Sequence, residues 1–210
     1  MQERGHLEKL SSGEPLPNTT IIYGEGGTGK TTICLLAALK QAEQNKKVIF
    51  LNTESNFSTE RCEQLLNGRD KTLIENMLIL QIKNFNAQHQ HIMKLEQLKN
   101  VGLVIVDSLT HYYRRLASKE PELARSMLNK QLKILEEVAK RNIPIILSSQ
   151  VFSRDNAIFP LAKETLFKHA THVIKLEKNP RSISLEKPEK QHVFFKIKNE
   201  GIELIETNNI

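Results

Sequence analysis

The chain has 210 residues, 39% hydrophobic and 26% charged, and its 30 basic side chains against 24 acidic ones leave a formal net charge of +6. That length supports one sizeable α/β core, so a single domain covering residues 1–210 is expected, with an ordinary soluble composition. No apolar run nears the roughly 18 residues that span a bilayer, and the polar first nine residues lack the apolar core of a secretory signal; membrane and secreted classes are excluded and a cytoplasmic protein is expected.

Residues 19–23 form a short β-branched apolar run that enters a Gly-rich turn, and residues 31–43 follow with helical spacing. A buried strand is predicted over 47–52 (KVIFLN), a helix over 58–67 with Ser58 as N-cap, a strand over 77–82, a helix over 87–99 and a strand over 102–106 (GLVIV). Pro121 opens a long helix with Ala124, Leu128, Leu132, Leu135 and Ala139 on one face, and a strand follows over 143–147. Residues 151–163 read as a loop. Short strands over 172–177, 182–186, 192–198 and 202–205 then alternate with turns at Asn179-Pro180, Lys187-Pro188 and Asn199-Glu200-Gly201. The βα alternation predicts a mostly parallel twisted sheet with helices on both faces, extended by C-terminal antiparallel hairpins.

Gly24-Glu25-Gly26-Gly27-Thr28-Gly29-Lys30-Thr31 fits Gly, four residues, Gly, Lys, then Ser or Thr, at a strand-to-helix junction. Backbone N–H groups there curl around phosphate, and the helix N-terminus adds its positive end. Lys30 reaches the β/γ-phosphates, Thr31 offers a hydroxyl to Mg²⁺, and Thr32 completes the nucleotide-binding set. Asp107 ends the strand GLVIV on the same sheet edge, where it either serves the metal or caps the turn at Ser108; the phosphate loop upstream favours the metal. Ser108 follows it where a base could have stood, so the group orienting water must come from another strand. Glu54, just past KVIFLN, is the candidate against an ordinary loop glutamate. Gln150 ends its strand at the same edge and either senses the γ-phosphate or is a plain strand-end glutamine.

Cys34 and Cys62 sit in predicted helices without a metal-ligand partner and read as core residues, and His89 and His91 have the wrong spacing for a shared helical face. Residues 163–198 hold nine Lys/Arg against four Glu, which suits a polyanion or a solvated surface equally. Tyr112-Tyr113-Arg114-Arg115, expected in a loop after Asp107, could stack on bases and hold phosphate, or the tyrosines could pack under the next helix. Without an Asn-Lys-x-Asp segment or an Arg-rich lid, GTPase and small-molecule kinase readings fall away.

The stretches IIYGEGGTGKTTICL, FLNTESNFSTERCEQL, LVIVDSLTHYYRR, IPIILSSQVF and HVIKLEKNPRSISLEK together resemble the core of the RecA/RadA recombinase family, and more closely its short archaeal RadB branch, over about residues 7–205. The resemblance implies a RecA-like P-loop fold, ATP and Mg²⁺ as ligands, Glu54 as catalytic glutamate, Arg61 packed on adenine and Gln150 as γ-phosphate sensor. It also implies weak ATP hydrolysis in DNA repair and recombination. The implied partners are DNA, single strands first, and a Holliday-junction resolvase, a RadA-type recombinase or a replicative DNA polymerase subunit. A nucleotide-gated protein-binding module without productive hydrolysis is the alternative. No helix-hairpin-helix segment precedes the core, so strand exchange is not expected. The segment 151–163 offers only Arg154 and Lys163 as cations and no glycine, unlike the Gly-rich DNA loop of the full recombinases. Arg114, Arg115, Tyr112, Arg154 and Lys163 are the candidate DNA contacts, and Glu25 and Asn52 replace residues more usual for the family.

Overall fold

Strands buried on both faces are mostly apolar, and in the computed structural model the central strand β1 (Thr19–Gly24) has every residue buried, its two threonines included. Residues 5–54, 57, 59–155 and 157–205 are described. Five more strands run parallel to it, β2 (Lys47–Asn52), β3 (Met77–Gln81), β4 (Val101–Asp107), β5 (Ile145–Ser149) and β8 (His172–Lys178). Next to β8, the strands β9 (Arg181–Lys187), β10 (Gln191–Lys198) and β11 (Gly201–Ile205) add on as antiparallel hairpins. The nine strands lie in the order β11-β10-β9-β8-β1-β5-β4-β2-β3.

Alternation along the strands divides the core into two layers. Ile22, Val48, Phe50, Leu103 and Ile105 face α2 (Lys30–Glu43), with α1 (His6–Ser11) and α3 (Thr59–Leu66) on the same side. Ile21, Ile49, Leu51, Val104 and Val106 face α4 (Phe85–Met93), α6 (Pro121–Ala139) and α7 (Lys163–His169) on the other. On α6 the predicted stripe of Ala124, Leu128, Leu132, Leu135 and Ala139 is buried. Cys34 and Cys62 are buried free thiols, as their helical settings suggested.

Several expectations need correction. Segment 151–163 is a hairpin, β6 (Val151–Arg154) with β7 (Ala157–Pro160), followed by the start of α7. The Tyr-Tyr-Arg-Arg stretch lies in a helix, α5 (His111–Ala117), rather than a loop. The helix predicted over 87–99 begins at Phe85, because the Asn84 side chain accepts from Ala87 N–H and caps it, and gives way after Met93 to a 3-10 turn at Leu95–Gln97. β5 starts two residues later than predicted, after Pro144, which has no N–H to give a ladder. The short α1, unanticipated, buries Leu7 and Leu10. Ser58, the predicted N-cap of α3, lies outside the described residues.

Candidate nucleotide site

Parallel strands deliver their C-terminal ends to one edge, and the phosphate loop, Glu54, Asp107 and Gln150 all stand there. The loop turns into α2 through Gly29, whose φ of 106° lies in the left-handed region. A Cβ on Gly29 would sit 2.9 Å from Ile197 Cδ1, and one on Gly24 would strike the Leu176 backbone carbonyl, so at Gly24 the neighbouring strand leaves room only for glycine.

Lys30 Nζ donates to the carbonyls of Gly24 and Glu25, each at 2.7 Å, which folds its ammonium back over the loop. Burial lowers the Lys30 pKa, while Asp107, Glu54, Cys34 and Glu25 act in the opposite sense. Thr28 is buried, and its hydroxyl donates to the Glu25 carbonyl at 2.9 Å. Thr31 Oγ1 donates to Asp107 Oδ2 at 2.7 Å, and Ser148 Oγ donates to Asp107 Oδ1. Asp107 is only 3% exposed. Two hard oxygens side by side at a phosphate-binding helix start suit Mg²⁺, with Thr31 and Asp107 as the residues to hold it.

A cavity of about 240 Å³ is lined by Gly26, Gly27, Gly29, Lys30, Thr31 and Thr32 of the loop and helix start together with Glu54 and Ile197. Glu25 is exposed on the loop and pairs with Lys178 at 3.4 Å. A roomier cleft of about 610 Å³, at the opposite ends of the strands by Glu14, Lys46 and Arg141, contains none of these groups. Arg61 stands on α3, its guanidinium donating to the carbonyls of Lys198 at 2.8 Å and Asn199 at 3.2 Å, beside Ile197. Gln150 follows Ser149, the partner of Tyr23, and so lies level with Gly24. Its amide Nε2 is 3.1 Å from His111 Nδ1, and its backbone N–H donates to Thr110 Oγ1 at 2.9 Å.

The candidate DNA contacts divide by exposure. Arg114 and Arg115 are exposed on α5, whereas the half-buried Tyr112 donates its hydroxyl to the Ile82 carbonyl at 3.0 Å and Tyr113 packs edge-on against Phe85. Arg154 is exposed near the tip of the β6–β7 hairpin, 3.4 Å from Asp155. Lys163 sits 4.8 Å from the Phe159 ring centroid, and Phe159 lies 5.9 Å from Phe152, which is 42% exposed. This aromatic pair escaped the sequence reading; the alternation in Val151-Phe152-Ser153-Arg154 was the available signal.

Sequence reasoning also missed the braces on the loop. Arg181 on β9 donates to the Gly27 carbonyl at 3.0 Å, and Asn52 and Gln81 both donate to the Glu54 carbonyl.

A Gly-rich loop feeding a helix on a parallel sheet, with a buried carboxylate on the loop threonine and antiparallel strands on the flank, defines the class: a RecA-type phosphate-loop protein. The family model described as Rad51 matches residues 7–203, so the chain belongs to the Rad51/RecA family, and its relatives place it with the RadB proteins. The "DNA repair and recombination protein RadB" of Methanococcus maripaludis is 36% identical over 211 residues, covering 95% of this chain and 97% of the relative. That of Methanocaldococcus jannaschii is 33% identical over 198 residues, covering 89% and 93%. Among solved structures, one described as the crystal structure of the RadB recombinase superposes with a TM-score of 0.77 at 30% identity, covering 95% of this chain and 96% of that one.

Proposed function

We propose that this chain is a cytoplasmic, single-domain protein of DNA repair and recombination that binds ATP with Mg²⁺, hydrolyses it slowly and associates with DNA and recombination proteins. The observation that carries the reading is one cavity lined by Lys30, Thr31 and Glu54 together, with Asp107 hydrogen-bonded to Thr31. The names of the RadB relatives support the repair and recombination role.

Loop N–H groups and the Lys30 ammonium hold the phosphates, exchanging the Lys30 bonds to Gly24 and Glu25 for phosphate oxygens. Mg²⁺ at Thr31 and Asp107 would neutralise charge on the β- and γ-phosphates. Glu54, which lines the same cavity as Lys30, orients a water for in-line attack on the γ-phosphorus and takes its proton, and the bond to the β-γ bridging oxygen breaks. Arg61 holds the carbonyls of Lys198 and Asn199, next in the chain to the cavity-lining Ile197, and an adenine ring reaching past Ile197 could stack on its guanidinium. DNA would meet Arg114 and Arg115 on α5, with Tyr112 anchoring that helix, and Arg154 and Lys163 beside the hairpin aromatics.

The test compares wild type with Lys30→Ala and Glu54→Gln, using a labelled ATP analogue with Mg²⁺, ATP turnover, and single-stranded DNA across a salt series. Lys30→Ala should weaken nucleotide binding by at least about tenfold, since a charge-assisted contact is lost. Glu54→Gln should keep binding and lose most of the turnover, and DNA affinity should fall steeply with salt. Turnover surviving in Glu54→Gln would remove the catalytic assignment, and absence of DNA binding at low salt would leave an ATP-gated module for protein partners.

A further inference from the structure

Asn52 and Gln81 are the last paired residues of β2 and β3, and Asn52 is also in register with Asp107 on β4. The row Gln81-Asn52-Asp107 therefore runs across three strands at one level. Residues in register share a face, and Phe50 and Ile105, two positions back, pack into the layer of α2; the row's side chains point toward the helix that carries the phosphate loop. Beyond this row the chain turns out of β2 into Thr53 and Glu54.

The two amides meet. Asn52 Nδ2 lies 2.7 Å from Gln81 Oε1 and 3.0 Å from the Glu54 carbonyl oxygen, while Gln81 Nε2 lies 2.8 Å from the same carbonyl. One carbonyl thus accepts from two side chains, one buried and one exposed. Thr53 is fixed from the other direction: its N–H donates to the Asp107 carbonyl at 2.8 Å, and its hydroxyl donates to the Ser108 carbonyl and accepts from Ser108 N–H, both at 2.7 Å. The backbone leading to Glu54 is thus tied to its neighbours through the Asn52 carbonyl, which accepts from Ile82 N–H at 2.8 Å, the Thr53 N–H and hydroxyl, and the Glu54 carbonyl.

We propose that Asn52 and Gln81 form an amide clamp that positions Glu54 for hydrolysis; the inference rests on the catalytic role proposed for Glu54. A carboxylate at the start of a surface loop would wander, and a displacement of about 1 Å at a catalytic group can cost up to about a hundredfold in rate. Two donors on its carbonyl hold the Glu54 backbone against the sheet edge, so its side chain faces the cavity from one fixed origin. Neither amide reaches the cavity wall, so both are positioning residues.

The test uses the full chain in two variants, Gln81→Met, which keeps length and removes both hydrogen bonds, and Gln81→Glu, which can still accept from Asn52 but cannot donate to the Glu54 carbonyl. Each is made alone and combined with Glu54→Gln, and ATP-analogue affinity, single-turnover hydrolysis and thermal midpoint are read for all. Expected is a fall in the hydrolysis rate of about tenfold in both single variants with analogue affinity unchanged, and no further fall when Glu54 is already Gln. Strand capping alone would lower the thermal midpoint and leave the hydrolysis rate intact, or lower it equally with and without the Glu54 carboxylate; either result overturns the clamp. Should Glu54→Gln itself hydrolyse at the wild-type rate, the catalytic reading falls and the inference falls with it, whereas loss in Glu54→Gln without loss in the Gln81 variants removes the clamp alone.

Discussion

Lys30 is pulled in opposite directions by its surroundings. Burial lowers its pKa, and Asp107, Glu54, Cys34 and Glu25 push it back up, without cancelling the fall. Its folded pKa therefore lies below the unfolded value, so in the window between them the unfolded chain binds the extra proton. Folding of the free protein is penalised while the ammonium stays charged, and the penalty is relieved as pH rises. Phosphate binding has the opposite requirement, because it needs the ammonium. ATP-analogue affinity should then weaken on alkalinisation at a pH below that of an ordinary lysine, and the weakening should be absent in Lys30→Ala; fluorescence titrations from pH 7 to 10 check both. Lys30 and Thr31 were legible from sequence because a backbone cradle needs fixed spacing, and Asp107 because it ends an apolar strand at the same sheet edge. Asn52 and Gln81 were not, since they become neighbours only through the strand order β4-β2-β3, which no local pattern encodes.

At the level of elements, α5 joins the nucleotide edge to the exposed arginines. Thr110, before the helix, offers its hydroxyl to Gln150 N–H and lies 3.1 Å from Ser149 Oγ, while His111 in the first turn meets the Gln150 amide. Were Gln150 to turn toward a γ-phosphate, it would give up its contact with His111 in the first turn of the helix that carries Arg114 and Arg115, which is the coupling we propose. His111→Ala should leave ATP binding and nucleotide-free DNA affinity near wild type and reduce the nucleotide-dependent change in DNA affinity severalfold, as measured by anisotropy with and without ATP analogue. α5 is hard to read from sequence: it is only seven residues long, too short to show a helical period, and Thr110 at its N-cap turns its hydroxyl to Ser149 and Gln150 and not to the helix N-terminus. α7 starts after Ala162 at φ 56°, again without a capping side chain, and the hairpin strands before it are four residues each, too short to stand out. By contrast β2 matched its predicted bounds, because a strand buried on both faces is written as an unbroken apolar run.

Across the whole molecule, the C-terminal strands meet the N-terminal helix at a pair of histidines. His6 on α1 and His172 at the start of β8 have ring centroids 5.2 Å apart, and His172 is buried with Nδ1 lacking a partner among the described residues. Burial first, then His6 and Lys187, push the His172 imidazole down to about 4. The unfolded chain takes up the proton first, so stability is lost as pH falls from the ordinary histidine range toward 4. Between pH 7 and 5 the loss should be about 1–2 kcal/mol, and His172→Gln should flatten the slope in urea melts at the two pH values.

The strands β8 to β11 do more than widen the sheet. Arg181 holds the Gly27 carbonyl, Lys178 pairs with Glu25, Ile197 closes on Gly29, and the carbonyls of Lys198 and Asn199 hold Arg61. Sequence positions 154 residues apart, as Gly27 and Arg181 are, are thus one mechanical part. A substitution far along the chain can therefore alter nucleotide grip without touching the loop motif. The phosphate loop and the C-terminal strands form a matched set, and exchanging the C-terminal third between relatives would be expected to carry the tuning of the phosphate loop along with it.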